Sequence, residues 1–319
     1  MDKDTPLSPL EHILCALCYL AILPFSLLPL RMLYLLSDFC YLWVYHVAKY
    51  RRRIVWRNLK NSFPEKSKQE LKQIERRFYH WFCDYFFETI KLATISQREI
   101  HRRMSFQGID DFTATLQSGH SVALMLGHYC NWEWVSTLPS HTPPPIIGAQ
   151  IYHPLENRVF DHLFLHIRQR FGAISIAKDD TFQTLRGWKK KGHTCYVGFI
   201  ADQVPGYSNM HYWPTFLHQL TPVFTGGERI SRVLDYTVYY LDIRRPRRGY
   251  YVGKLVKITD NTADMEKFQV TARYFQLLEA SIRRNPPYWL WSHNRWKRTR
   301  QEFDALFSEQ ERQRILSKL

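Results

Sequence analysis

The segment Gly127-His128-Tyr129-Cys130-Asn131-Trp132-Glu133-Trp134 carries the residue types that acid–base chemistry needs. Histidine is the natural general base near neutral pH, and a nearby carboxylate orients its ring and stabilises the imidazolium. Five positions separate His128 from Glu133, which on one continuous helix sets them on different faces. A turn must therefore bring them together, and a pair so joined can activate a hydroxyl. Cys130 offers a rival as a thiol nucleophile with His128 as its base. Against it, the two lie two residues apart in one turn, whereas such pairs usually come from separate segments. By itself, His-x-x-x-x-Glu also fits a structural hydrogen bond.

The surrounding pattern supplies a frame for this turn. Residues 121–127 read as a buried strand ending at His128, where the loops of a parallel sheet carry function, with a helix beginning near Asn131. Further strands are expected over 145–152, 173–177 and 194–201, alternating with helices over 155–171 and 180–190. That alternation implies crossover connections and a mixed, largely parallel sheet flanked by helices, an α/β fold. Residues 237–244 and 250–258 read as a hairpin turning at Arg247-Arg248-Gly249, and a final helix spans about 264–284 before Pro286-Pro287. Upstream, Ser67 and Glu70 form a capping box, and Leu71, Ile74, Phe78, Trp81, Tyr85 and Thr89 recur on one helical face. The aromatic excess of that helix suits either core or contact with lipid.

The N-terminal region is apolar. Residues 13–30 hold no formal charge, and after Arg31 the run continues through Val47 with Asp38 as its single charge. Pro24 and Pro29 kink what precedes them. A spanning helix, a bent pair lying in one leaflet and a buried soluble helix are all compatible with this composition. Lys49, Arg51, Arg52, Arg53, Arg57 and Lys60 follow directly, whereas the N-terminal tail carries Lys3 alone, so the positive-inside rule keeps the rest of the chain in the cytoplasm. The same cluster suits an anionic membrane surface. Two regions result: a membrane-associated helical segment over 1–59 and one α/β domain over 60–319.

Of 319 residues, 44 are Lys or Arg and 29 are Asp or Glu; the +15 balance predicts an anionic partner. With 45% hydrophobic residues, wholesale disorder is excluded. No RNP, helix-turn-helix or zinc-finger pattern supports nucleic acid as the partner, and the apolar N-terminus favours lipid. Six scattered cysteines, with Cys15-x-x-Cys18 lacking a second ligand pair, read as reduced, packed thiols.

Four blocks, in order from residue 127 to residue 297, resemble the lipid A biosynthesis acyltransferase family, the late lauroyl and myristoyl transferases of the lysophospholipid-acyltransferase superfamily. The first runs from Gly127-His128 to Glu133. The second is Tyr152-His153-Pro154-Leu155-Glu156-Asn157 with Asp161, Arg168, Arg170, Phe171 and Gly172. Ala201-Asp202-Gln203 opens the third, which ends at Thr225-Gly226, and Trp291-Ser292-His293-Asn294-Arg295-Trp296-Lys297 forms the fourth. Asn294 stands where the family often has Arg.

The resemblance implies a membrane-associated enzyme that moves a fatty acyl chain from an acyl carrier protein thioester to a hydroxyl of a lipid A precursor. A lysophospholipid or an aminolipid is the alternative acceptor. It implies His128 as general base oriented by Glu133, with Asn131, Arg168, Arg170, Asp202, Gln203, His293 and Arg295 as substrate contacts. No metal or diffusible cofactor is expected, and the place of work is the inner membrane with the catalytic domain on the cytoplasmic face.

Overall fold

The computed structural model describes residues 7–318. Lys3 lies outside them. Helix α1 (Pro9–Leu27) starts from a capping box in which Ser8 and Glu11 satisfy each other's backbone N–H groups. It stops at Leu28-Pro29, and α2 (Leu30–Leu42) follows at once, running into a π-helical turn over Trp43–Val47. The basic helix α3 (Arg52–Ser62) and the aromatic helix α4 (Lys68–Lys91) come next, the latter opened by the Ser67–Glu70 capping box expected from sequence.

The α/β part begins with α5 (Gln97–Arg103), β1 (Met104–Gln107) and α6 (Ile109–Gln117). It continues through β2 (Val122–Leu126), a 3-10 segment (Glu133–His141), β3 (Ile147–Tyr152), α7 (Arg158–Gln169), β4 (Ile174–Ala177), α8 (Thr181–Lys190) and β5 (Cys195–Ile200). A two-stranded ribbon, β6 (Thr215–Phe216) and β7 (Gln219–Leu220), precedes α9 (Gly226–Leu234), the hairpin β8 (Thr237–Arg247) and β9 (Tyr250–Thr259), and α10 (Gln269–Arg284). Two helices follow, α11 (Arg300–Leu306) and α12 (Glu309–Ser317).

Seven strands form one sheet in the order β1-β9-β8-β2-β5-β3-β4, parallel throughout except for the antiparallel β8–β9 pair. The mixed, largely parallel sheet expected from sequence is present. β2 lies inside it and is buried at every position, as its uninterrupted Val-Ala-Leu-Met-Leu run requires of a strand covered on both faces. On one face Phe112 of α6 packs against Tyr196 and Tyr239. On the other, Gly227 of α9 sits against Met125 and Phe199, and Leu278 of α10 lies over Gly127. A Cβ at Gly127 would fall 2.6 Å from Leu278 Cδ1, so that side chain would have to move to admit one.

Several elements differ from the sequence reading. The helix expected from Asn131 is the 3-10 segment, because Pro139 lacks a donor and the hydroxyls of Ser136, Thr137 and Ser140 donate to the carbonyls of Glu133, Trp134 and Thr137. β1 is only four residues long and went unread. The chain also does not end its helices at α10: Met210, Phe303 and Ile315 form a second small core that fixes α11 and α12 against the loop after β5.

Neither N-terminal helix is wholly buried, although Leu30 and Leu33 of α2 enter the hydrophobic core. Ser26 is the one buried residue of α1, while Leu35 and Phe39 of α2 are 69% and 74% exposed. α1 alone, among the described residues, is long and apolar enough to cross a membrane. One side of the hairpin is nonetheless tied to the domain. Tyr19 and His12 of α1 meet His166 and His162 of α7 edge to face, and Ser26 donates to the carbonyl of Ile90. Deeper, the fully buried Asp84 of α4 accepts from Ser37 of α2 and from Arg245 and Arg248 of the β8–β9 hairpin at 2.5–2.7 Å. Arg248 also bridges to Asp38, so the charge needs of this cluster are met by guanidinium groups. Asp84→Ala should leave the 8%-exposed Arg245 side chain without its partner. We expect a loss of about 3–5 kcal/mol in detergent-solubilised protein. A shift of less than about 1 kcal/mol in denaturant unfolding would refute the assigned role.

Candidate active site

A cavity of about 1070 Å³ opens at the carboxyl ends of β2, β5 and β3, where ligands bind in sheets of this kind. It reaches onto both faces of the sheet, toward Leu124, Gly198 and Pro139 on one side and toward Phe199, Gly227 and Ile230 on the other. His128 stands at its rim, directly after β2.

The ring of His128 is fixed from three directions. Its Nδ1 lies 2.6 Å from Asp202 Oδ1, and its backbone N–H donates to Asp202 Oδ2 at 2.9 Å. A carboxylate only accepts, so the ring proton belongs on Nδ1. Nε2 faces the side-chain amide of Gln203 at 3.2 Å and is the acceptor of that contact. Trp132 packs edge to face on the ring with centroids 5.0 Å apart. Asp202 follows β5 and is 2% exposed; its Oδ2 also receives the indole N–H of Trp289 at 2.7 Å. Burial alone would raise its pKa, but the charge that the His128 ring carries when protonated and the hydrogen bonds from His128 and Trp289 outweigh that and leave it at about 2.

Trp289 reaches Asp202 because the segment after α10 pairs with the histidine turn. Cys130 N–H donates to Tyr288 O and Leu290 N–H to His128 O, forming a short antiparallel bridge at Tyr129 and Trp289. The turn itself is braced from below. Asn131 is wholly buried, its amide donating to Glu88 Oε2 at 2.7 Å and its carbonyl oxygen accepting from Trp134 N–H. The fully buried Glu88 of α4 also accepts from the hydroxyls of Tyr34 and Tyr251, and its backbone carbonyl takes the Trp134 indole N–H.

Several expected roles change with this geometry. Glu133 lines the cavity, but its carboxylate forms a two-pronged pair with Arg168 at 2.7 and 2.6 Å and accepts from Tyr85. The carboxylate on the imidazole is Asp202, and Glu133 has no hydrogen bond to His128 among the described residues. Asp202 is in turn too enclosed to be a substrate contact. Asn131 is engaged within the turn. Arg170 donates to the carbonyls of Leu92 and Ile95 and caps the end of α4. Arg295 is fully buried outside the cavity lining, donating to Pro222 O, with burial pulling its pKa to about 10. Cys130 is fully buried, with its thiol directed at Ile243 O, and burial raises its pKa well above the free-thiol range; a thiol nucleophile is ruled out here. Arg168, Gln203 and His293 do line the cavity.

Trp289, Lys178 and Arg298 have no site role in the sequence reading, and Tyr85 figures there only on a helical face. Trp289 alone carried a signal, as the residue after the Pro-Pro-Tyr run that leads into the fourth block. No metal-ligand set converges on the cavity among the described residues.

A family model described as bacterial lipid A biosynthesis acyltransferase matches residues 2–298. The chain belongs to this family. Among curated members, it is 25% identical over 163 residues to a lipid A biosynthesis acyltransferase of Haemophilus influenzae, covering 51% of this chain and 50% of that protein. It is 22% identical over 254 residues to the lipid A biosynthesis palmitoleoyltransferase of Escherichia coli, covering 78% and 79%. The lauroyltransferase of the same organism matches at 22% over 250 residues, covering 78% and 80%. The stretch matched thus spans about half the length of the first of these relatives and about four-fifths of the other two. Residues beyond 298, including α11 and α12, lie outside the family match.

His293 supplies a pH signature. Burial lowers its pKa from 6.5 to about 4. The unfolded chain therefore binds a proton between those values that the folded protein does not, so stability falls as pH drops from 6.5 toward 4. His293→Gln should lose less stability than the parent over that interval in thermal unfolding at stepped pH. An identical decline in both proteins would count against the buried neutral imidazole.

Proposed function

We propose that this family member transfers a fatty acyl group from a thioester to a hydroxyl of a lipid A precursor, with His128 as general base and Asp202 as the carboxylate that orients it. One observation supports the reading: an imidazole lining the cavity whose Nδ1 lies 2.6 Å from a buried carboxylate, the arrangement that favours a proton on Nδ1 and an accepting Nε2. In this tautomer Nε2 takes the proton of the acceptor hydroxyl as that oxygen attacks the thioester carbonyl. Asp202 stabilises the imidazolium that forms, and the proton passes to the departing thiolate sulfur as the tetrahedral adduct collapses. Glu133 and Arg168 form a charged pair on the cavity wall; with Gln203 and His293 they meet the polar parts of the substrates.

The donor is an acyl carrier protein thioester in this proposal. Lys178, Lys297 and Arg298 around the cavity and the net charge of +15 favour an acidic carrier. The site of action is the cytoplasmic face of the inner membrane. Support comes from the exposed apolar side of α1 and α2, and from α3, where Asn58 donates to the carbonyls of Trp291 and His293 and Arg51 to that of Ser292. Those bonds tie a basic helix to the segment that carries His293, which lines the cavity.

His128→Ala is expected to lower transfer from acyl carrier protein thioester by about 10²–10⁴-fold while the protein still sediments with membranes. Asp202→Asn, which presents an amide to Nδ1 and favours the wrong tautomer, should cost at least about 10²-fold. Normal turnover by either variant defeats the assignment. For the acceptor, mass spectrometry of lipids from cells with and without the protein should show lipid A short of one acyl chain. Unchanged lipid A with altered phospholipids or aminolipids would move the acceptor to one of those classes.

A further inference from the structure

The geometry points to a measuring slot for the donor's acyl chain on the His128 face of the sheet, with Gly198 as the floor that admits the chain and Tyr196 as its end stop. This rests on the acyl-transfer reading and adds which chains the site accepts. Strand neighbours in register share a face. Leu124 pairs with Gly198 and Leu126 with Ile200, while Gly148 pairs with Tyr196. All six line the cavity. His128 stands two residues beyond Leu126, just past the end of β2, and lines the same cavity.

From the rim inward along β5, the floor is therefore Ile200, then Gly198, then Tyr196. At Gly198 a side chain is absent where the cavity passes over the strand. A Cβ there would meet Ala149 O and Leu126 Cδ2 at an ordinary 3.7 Å, so the backbone itself does not require glycine, and its φ lies outside the left-handed region. The glycine keeps space open. At the inner end the reverse holds. A Cβ on Gly148 would collide with the hydroxyl and ring of Tyr196 and fall 2.8 Å from Pro139. Tyr196 thus lies flat on the neighbouring strand and touches the 3-10 segment, and Phe112 backs it at 5.3 Å between ring centroids. Sheet and 3-10 segment close on each other at that point.

Between the rim and this stop the wall is apolar. Along it Ser136 donates to Glu133 O and Gln150 to Ser175, while the buried Tyr196 hydroxyl at the inner end has no hydrogen-bond partner among the described residues. Ile200 to Tyr196 is four residues, about 13 Å of strand at about 3.3 Å each. An extended chain advancing about 1.25 Å per methylene fills that with about ten methylenes, so the slot suits acyl groups of about ten to twelve carbons. The opposite branch, lined by Phe199, Gly227 and Ile230, runs along the other face.

Purified full-length protein in detergent would be given acyl carrier protein thioesters of about eight to about sixteen carbons with a lipid A precursor. The parent should transfer best at about ten to twelve carbons. Gly198→Ala should shorten the optimum by about two carbons and Gly198→Leu by about four, each retaining transfer of the shorter chains. Gly226→Leu, in the opposite branch where a Cβ meets nothing within 4 Å, should leave the optimum in place. Fatty acids of graded length, read by thermal stabilisation, should show the same ordering without turnover.

An unchanged length profile in both Gly198 variants, with transfer intact, overturns the slot and leaves the transfer reading standing. A shift in Gly226→Leu but not in the Gly198 variants also overturns it. Absence of transfer by the parent from every thioester overturns the transfer reading, and with it the chain-length assignment.

Discussion

One buried carboxylate sets the terms for the rest of this site. Asp202 keeps its charge at 2% exposure because three donors converge on it: the imidazole of His128, the backbone N–H of the same residue and the indole of Trp289. An isolated charge in such a place would be driven to neutralise. The donors come from different stretches, so the end of β2, the end of β5 and the segment after α10 must meet at a fixed distance. The Tyr129–Trp289 bridge is the backbone form of that requirement. The histidine's tautomer follows from the acceptor-only character of its partner, and so does the availability of Nε2.

The sequence made the frame of the sheet legible and hid the pairing across it. β2, β3, β4, β5 and the β8–β9 hairpin were readable because burial on both faces or alternation leaves a local imprint. His128 was readable because it follows such a strand. Its carboxylate partner was not, since Asp202 is 74 positions away and a local spacing drew attention to Glu133. Arg170 and Arg295 have the composition of headgroup contacts but act as caps and buried props. Whether an arginine faces a cavity or a carbonyl is decided by tertiary packing that no short motif records. Asn131 belongs to the same class, a polar residue whose neighbours in space came from α4.

The cavity divides its labour between charge and bare hydrocarbon. His128, the Glu133–Arg168 pair and His293 line it, while the face under Leu124 and Leu126 is floored by leucine, isoleucine and glycine. Charged pairs near the opening are partly wet and cost less to maintain than they would deeper in.

The three hydroxyl and amide donors on Glu88 have a practical reach. One of them, Tyr34, belongs to the first apolar hairpin, while another, Asn131, shapes the turn that presents the imidazole. Trimming the chain to begin after the hairpin, the usual route to a tractable soluble fragment, would strip a sealed acid of a partner directly beneath the reacting group. Solubility obtained that way would come with a loosened histidine, so a dead fragment would say nothing about the intact enzyme.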